Sequence, residues 1–396
     1  MKKINFLMIL MIALVACDGS SSSETSVSSS EASSISSSEA TSVPNGLQPL
    51  IPYEDCLEPT LEGGWVAQWA DEFNGTGLDS TKWNIEVNGD GGGNNELQYY
   101  RSENIGVSDG LLTITAKKEN YLGKEYTSGR ITTKYRYNFL YGRIKVRAKM
   151  PGGRGTWAAI WMMPLFNSYG GWPKSGEMDI SEYVGYDPDT TYATIHTELF
   201  NGTLGTQRGS SKTIENAETE FHDYELIWEP GNLKFYADGL KYFEYGYSAQ
   251  INQTVPYNQV FPFDQDFFII LNVAIGGNWG GVEGVDPDIF PTAMQVDSVR
   301  VFRRDYAVLD TAQPQTPNTL VASTLKNTIH WNKSEDDYGV QKYEIYVDGV
   351  YKGYSTLNQY TLKSLTVNQT YSVQVKAIDF VGRESELSDP LLFTFA

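Results

Sequence analysis

The sequence predicts an all-β protein: a large β-jelly-roll sandwich over residues 47–307 and a smaller immunoglobulin-like β-sandwich over 318–396. Three observations carry this. Short runs alternate apolar and polar residues with period 2, as in Leu111-Leu112-Thr113-Ile114-Thr115-Ala116 and Ile144-Lys145-Val146-Arg147-Ala148. Gly, Asn and Asp break these runs at short intervals, and helical periodicity is almost missing. The pattern continues for roughly 250 residues, which suits a jelly roll whose curved inner sheet forms a cleft. It then restarts after a Pro-rich stretch.

Taken in order, the chain opens with Lys2-Lys3 and an apolar run to Val15, which reads as an export signal too short for a comfortable transmembrane helix. Leu14-Val15-Ala16-Cys17 looks like a bacterial lipobox, so residues 1–17 read as a lipoprotein-type signal in which Cys17 is acylated and becomes the mature N-terminus. The expected product is an exported, membrane-anchored lipoprotein at the cell surface or outside the cell. Residues 18–46 are mostly Ser with scattered Glu, Thr and Ala, and cannot bury a core; they read as a flexible tether. The 396 residues carry a formal net charge of −19, which argues against nucleic acid or an anionic polymer as partner and leaves a neutral polysaccharide. The two cysteines are Cys17 and Cys56; if Cys17 is acylated, no disulfide is available. Three scattered histidines without metal-ligand spacing argue against a catalytic zinc. A monomer is expected.

The chemistry concentrates in Gly176-Glu177-Met178-Asp179-Ile180-Ser181-Glu182-Tyr183. In a regular strand Glu177 and Asp179 share one face, and Met178 and Ile180 the other. Glu182 needs one extra residue, a β-bulge near Ile180-Ser181, to rejoin its partners. Three carboxylates on one face repel one another, so a purely structural sheet has no reason to carry them. The plain alternative is an edge strand with its charges in water. Trp172, Met178, Ile180 and Tyr183 speak against it, because they make the stretch look buried on both sides. Two close carboxyls are what retaining glycoside hydrolysis requires, one as nucleophile and one as acid/base. The middle acid can hydrogen-bond the nucleophile and hold the outer pKa values apart.

From Trp172 to Gly185 this stretch resembles the active-site strand of glycoside hydrolase family 16 in its bulged form, and most of all that of the bacterial endo-β-1,3-glucanases (laminarinases). The resemblance implies Glu177 as nucleophile, Asp179 as helper and Glu182 as acid/base, without a cofactor. It extends over Trp69-Ala70-Asp71-Glu72-Phe73, Gly93-Asn94-Asn95-Glu96-Leu97-Gln98-Tyr99-Tyr100, Ser128-Gly129-Arg130, Gly155-Thr156-Trp157-Ala158-Ala159-Ile160-Trp161 and the stretch Phe267–Gly281. It implies that Asn95, Glu96 and Arg130 bind sugar hydroxyls, and that His196, in Thr194-Ile195-His196, points into the cleft near Glu182. Trp157 and Trp161 are four apart and share a face. Trp157 is expected as a sugar platform; Trp161 could equally face the core. Trp172 and Trp279 stand in Gly-rich loops, where an exposed Trp binds. The resemblance also implies a structural calcium held by the carboxylates of Glu72 and Asp297 and the carbonyl of Gly110, away from the cleft. The substrate it implies is β-1,3-glucan. Mixed-linked β-1,3-1,4-glucan, a galactan, or a binding protein without catalysis are the rival readings.

Residues 308–317, with Gln313-Pro314-Gln315-Thr316-Pro317, read as a linker. Beyond it, Trp331 on an early strand and Tyr371, six residues after Leu365, resemble a fibronectin type III domain with its tyrosine corner. A spacer is the expected role.

Overall fold

The computed structural model describes residues 50–248 and 254–396. Cys17 and the Ser-rich tether lie outside the described residues. Between Leu50 and Arg304 the chain forms two packed sheets, one of eleven strands and one of seven. The alternating runs behave as their period demands. Gly142–Lys149 buries every second residue, with Ile144, Val146 and Ala148 turned inward. Leu112, Ile114 and Ala116 do the same on the strand Leu111–Tyr121. Each fully buried Val, Leu or Ile side chain of this kind contributes about 1.5–3 kcal/mol.

The seven-stranded sheet runs, edge to edge, Arg208–Thr213, Thr190–His196, Glu177–Val184, Thr156–Pro164, Phe267–Ile275, Arg130–Thr132 and Asn84–Ile85, and all its pairs are antiparallel. One face of this sheet closes the main core with Met178, Ile180, Ala158, Ile160, Met162, Ile269, Leu271 and Val273. Its other face carries Glu177, Asp179, Glu182, Trp157, Trp161, Arg130 and Asn272, which line one cavity. The sheet is therefore hydrocarbon on one side and chemistry on the other.

After residue 317 a three-stranded sheet (Val321–Ala322, Thr328–His330, Gln359–Thr361) and a four-stranded sheet (Val350–Ser355, Val340–Val347, Thr370–Asp379, Leu391–Thr394) enclose a separate core. Trp331 lies at its centre, edge-on to Tyr343 with ring centroids 5.2 Å apart. The Tyr371 hydroxyl accepts the Thr366 N–H at 2.9 Å. Leu357 of this unit is buried in the core of the large sandwich, and the Tyr247 hydroxyl donates to Gln359 at 3.1 Å.

The stretch expected as a linker makes contacts of its own. A short helix, Tyr306–Leu309, overlaps it, and Tyr306 stacks on Phe380. Thr311 and Gln315 then hydrogen-bond Asp337 and Glu335. Backbone partners are available along the neighbouring loop, so the segment is laid down on it.

Candidate active site

Glu177–Val184 starts at a position only glycine can fill. Gly176 has φ +88°, and a Cβ there would fall 2.9 Å from both Phe263 and Pro262. The strand then pairs Glu177 with His196, Met178 with Ile195, Asp179 with Thr194 and Glu182 with Tyr192, and the register shifts between Asp179 and Glu182. On the other side Asp179 pairs with Trp161 and Ser181 with Ile160, which leaves Ile180 as the extra residue. This is the bulge the spacing calls for. It keeps Ile180 and Tyr183 in the core while all three acids line the cleft.

Each acid has its own partners. The Trp172 indole N–H donates to Glu177 Oε2. Glu182 accepts from Trp157 Nε1 at 3.2 Å and from the Thr194 hydroxyl at 3.1 Å. Asp179 is 2% exposed, and its Oδ2 lies 3.4 Å from His196 Nε2. His196 Nδ1 accepts the Gly202 N–H at 3.2 Å, so in the neutral ring the proton sits on Nε2 and faces Asp179. One ligand atom each from Glu177, Asp179 and His196 lies within 4.8 Å of the others, which measures the crowding.

Crowding and burial raise all three carboxyls. Burial, and then the charge of Asp179, push Glu177 up to about 8. Burial first, and the Glu177 charge among the other causes, push Glu182 up to about 7, against the pull of His196, Thr194 and Trp157. Burial, and then Glu182, hold Asp179 well above the carboxylate range. The three cannot all be ionised at neutral pH. Asp179 is the most enclosed of the three and, among the described residues, no indole or hydroxyl donates to it, so burial opposes its ionisation strongly. Once it is neutral, its charge no longer opposes ionisation of Glu177. The Trp172 N–H then favours the Glu177 carboxylate.

The cleft walls place the other expected residues. Trp161 faces the cleft: its Nε1 donates to Asn272 Oδ1 at 2.7 Å, and the Arg130 guanidinium lies 4.9 Å above its ring. Arg130 also pairs with Glu86 at 3.0 Å. Trp157 meets Trp279 edge-on, with centroids 5.6 Å apart, and Trp279 meets Tyr192 in the same way. The close approach of the Trp279 loop depends on Gly280, where a Cβ would come 2.7 Å from Trp157 Cβ. Trp172 is 46% exposed beside Glu177. Glu96 is buried in the cleft wall and accepts from Gln98 Nε2 at 2.6 Å and the Tyr100 hydroxyl at 3.1 Å.

Two expectations need correcting, those for Asn95 and Glu72. Asn95 has φ +58° and turns its amide to Asn278 at 2.9 Å; its neighbour Asn94 lines the cavity with the acids. His196 points into the cleft as expected: its strand register sets it opposite Glu177, its ring lies against Asp179, and its charge acts on Glu182. Glu72 spends both carboxylate oxygens on Arg300, at 2.7 and 2.8 Å, and accepts the Leu57 N–H as well. A carboxylate already matched to a guanidinium does not fit the expected calcium set with Gly110 and Asp297. Sequence reasoning misses Thr194 and Asn272. Alternation puts Thr194 on the same face as His196, which is the signal that could have found it.

Residues 93–287 match the model of the glycosyl hydrolases family 16. A curated relative, the beta-glucanase of Rhodothermus marinus, is 45% identical over 245 residues, covering 60% of this chain and 85% of that protein. The chain belongs to glycoside hydrolase family 16. The X-ray structure of the Rhodothermus marinus laminarinase superposes with a TM-score of 0.59 at 46% identity, covering 61% of this chain and 98% of that one. A glucan endo-1,3-beta-glucosidase of Cryptopygus antarcticus is 40% identical over 236 residues, covering 57% of this chain and 86% of that protein. The family 16 span holds the three acids, Glu96, Arg130, the four cleft tryptophans and His196; Glu72 and Asp297 fall outside it.

Proposed function

We propose that this family 16 chain is a retaining endo-β-1,3-glucanase that cuts laminarin-like glucan by double displacement. The observation that carries it is the bulged strand, which gathers Glu177, Asp179 and Glu182 on the cleft face with a separate donor set for each outer acid. Glu177, ionised and oriented by the Trp172 N–H, attacks the anomeric carbon. Glu182, held protonated by burial and by the Glu177 charge, gives its proton to the leaving oxygen. The Glu177 charge disappears in the glycosyl-enzyme ester, so Glu182 becomes more acidic once its proton has gone to the leaving group. It then takes a proton from the attacking water, and release of Glu177 restores the charge that holds that proton. Asp179 keeps its proton and hydrogen-bonds Glu177. Glu96, Arg130, Trp157, Trp161 and Trp172 supply the polar and aromatic walls that hold sugar units.

Product analysis on laminarin, mixed-linked barley glucan, agarose and carrageenan tests this, with Glu177→Ala as control. Oligosaccharides of mixed length from laminarin, lost in a folded, glucan-binding variant, are expected. Full activity of the variant would sink the assignment. Products from mixed-linked glucan or a galactan alone would keep the mechanism and move the substrate. Binding without any product would point to a glycan-binding protein.

The second β unit is proposed as a fibronectin type III-like spacer. Its support is the sheets of three and four strands, the buried Trp331 and the Tyr371 corner. Lipid anchoring at Cys17, with export to the cell surface, belongs to the same proposal; a radiolabelled fatty acid that fails to enter the protein would remove it.

A further inference from the structure

A second group of acids sits away from the cleft, where the segment after the large sandwich lies along the second unit. Asp310 leaves the short helix Tyr306–Leu309, Asp336 and Asp337 stand in the loop before Val340–Val347, and Asp379 ends Thr370–Asp379. One carboxylate oxygen each from Asp310, Asp336 and Asp337 lies within 4.8 Å of the others. That is about twice the calcium–oxygen bond length of roughly 2.4 Å, so three such oxygens can share one ion.

The bonding around the cluster is one-sided. Asp310 is 2% exposed; its Oδ1 accepts from Arg383 Nη1 at 3.0 Å, its Oδ2 accepts no hydrogen bond among the described residues, and its carboxyl, when protonated, donates to Asp337. Asp336 gives Oδ1 to the N–H groups of Tyr338 and Gly339, at 3.0 and 2.8 Å, and its buried Oδ2 is likewise without a partner among the described residues. Asp337 accepts from Thr311 N and Oγ1, both at 3.3 Å. Asp379, fully buried, gives Oδ1 to the N–H groups of Val381 and Arg383, and its Oδ2 lies 3.6 Å from Arg383 Nη1. The protein thus fixes one oxygen of each buried carboxylate and leaves the other aimed inward. Arg383 is the guanidinium these carboxylates face. Orphaned buried oxygens of this kind are costly unless something fills the gap.

We propose that Asp310, Asp336 and Asp337 bind a calcium ion that clamps the segment after the large sandwich onto the second unit. The ligands are all hard oxygens, with no imidazole or thiolate in the cluster, which disfavours zinc. They come from two separate segments rather than one rigid octahedral cage, which suits calcium better than magnesium. The other oxygen positions of a six- to eight-coordinate ion are filled by water.

The test is calorimetric titration of calcium chloride into the EDTA-treated full chain, alongside its melting temperature with and without calcium. Wild-type protein is expected to bind calcium and melt several degrees higher. Asp336→Asn with Asp337→Asn, on the less buried side of the cluster, is expected to weaken that binding at least about tenfold per carboxylate lost. Laminarin turnover at room temperature should stay unchanged. Asp297→Asn serves as the control for a calcium elsewhere and should leave the binding intact. The proposal is overturned if wild type takes up no calcium, if the double variant binds it with wild-type affinity, or if Asp297→Asn alone removes it.

Discussion

Replacing Glu177 by Gln should stop catalysis and stabilise the fold, and the second effect should depend on pH with a definite sign. Burial and Asp179 raise the Glu177 carboxyl from 4.5 to about 8 in the folded chain. A raised carboxyl binds its proton more tightly when folded than when unfolded. Below pH 4.5 both states are protonated and nothing is lost. Between 4.5 and 8 the folded state loses about 1.4 kcal/mol for each pH step. At about pH 7 the ceiling is about 3 kcal/mol, and protonation of Asp179 relieves part of it, leaving about 1–2 kcal/mol. The Gln side chain is isosteric and can still accept the Trp172 N–H. The variant should therefore melt with wild type at about pH 4 and about 3–8 °C higher at about pH 7.5, by scanning calorimetry. A difference that is flat with pH, or one that shrinks as pH rises, would refute the claim that this half-buried carboxylate works against the fold.

Other outcomes follow from the same geometry. Trp157→Phe removes the N–H that favours ionised Glu182, so the alkaline limb of kcat/KM should move up by roughly half to one pH unit. A limb that stays or moves down would break the link between the indole and the acid/base. Arg300→Met leaves Glu72 buried and unpaired and should cost roughly 3 kcal/mol in urea unfolding. Adding Glu72→Leu should recover much of that loss, because it removes the stranded charge.

Much of the site is legible in the sequence because strand chemistry is periodic. Glu177 and Asp179 two apart, Glu182 out of phase and Ile180 to spare specify a bulge from spacing alone. The same alternation puts Trp157 and Trp161 on one face but cannot choose which face. Neighbouring strands make that choice, through Asn272 and Arg130, which are paired in the sheet yet far apart in the sequence. Asn95 escapes this logic because a left-handed backbone in a Gly-rich loop obeys no period. The Glu72–Arg300 pair is hidden for a related reason: it joins the two ends of the large sandwich, and nothing local to either residue announces the other. His196 stands on the expected wall, where alternation from Thr194 puts it, and lies against Asp179.

The Leu357 side chain, 4% exposed, belongs by sequence to the second unit and by packing to the first. It sits 3.2 Å from where a Cβ on Gly231 would be, so the turn Pro230-Gly231 is shaped around it. That turn joins the strands His222–Glu229 and Asn232–Ala237 of the large sheet. Sheet boundaries and packing boundaries therefore do not coincide in this chain. A polypeptide ending at residue 317 would keep every strand of the large sandwich yet lose one of the plugs of its core. Recombination that swapped the second unit for another module would have to supply a comparable apolar side chain at the same spot. Selection on the packing of the eleven-stranded sheet then reaches, through one side chain, into a loop of the second unit.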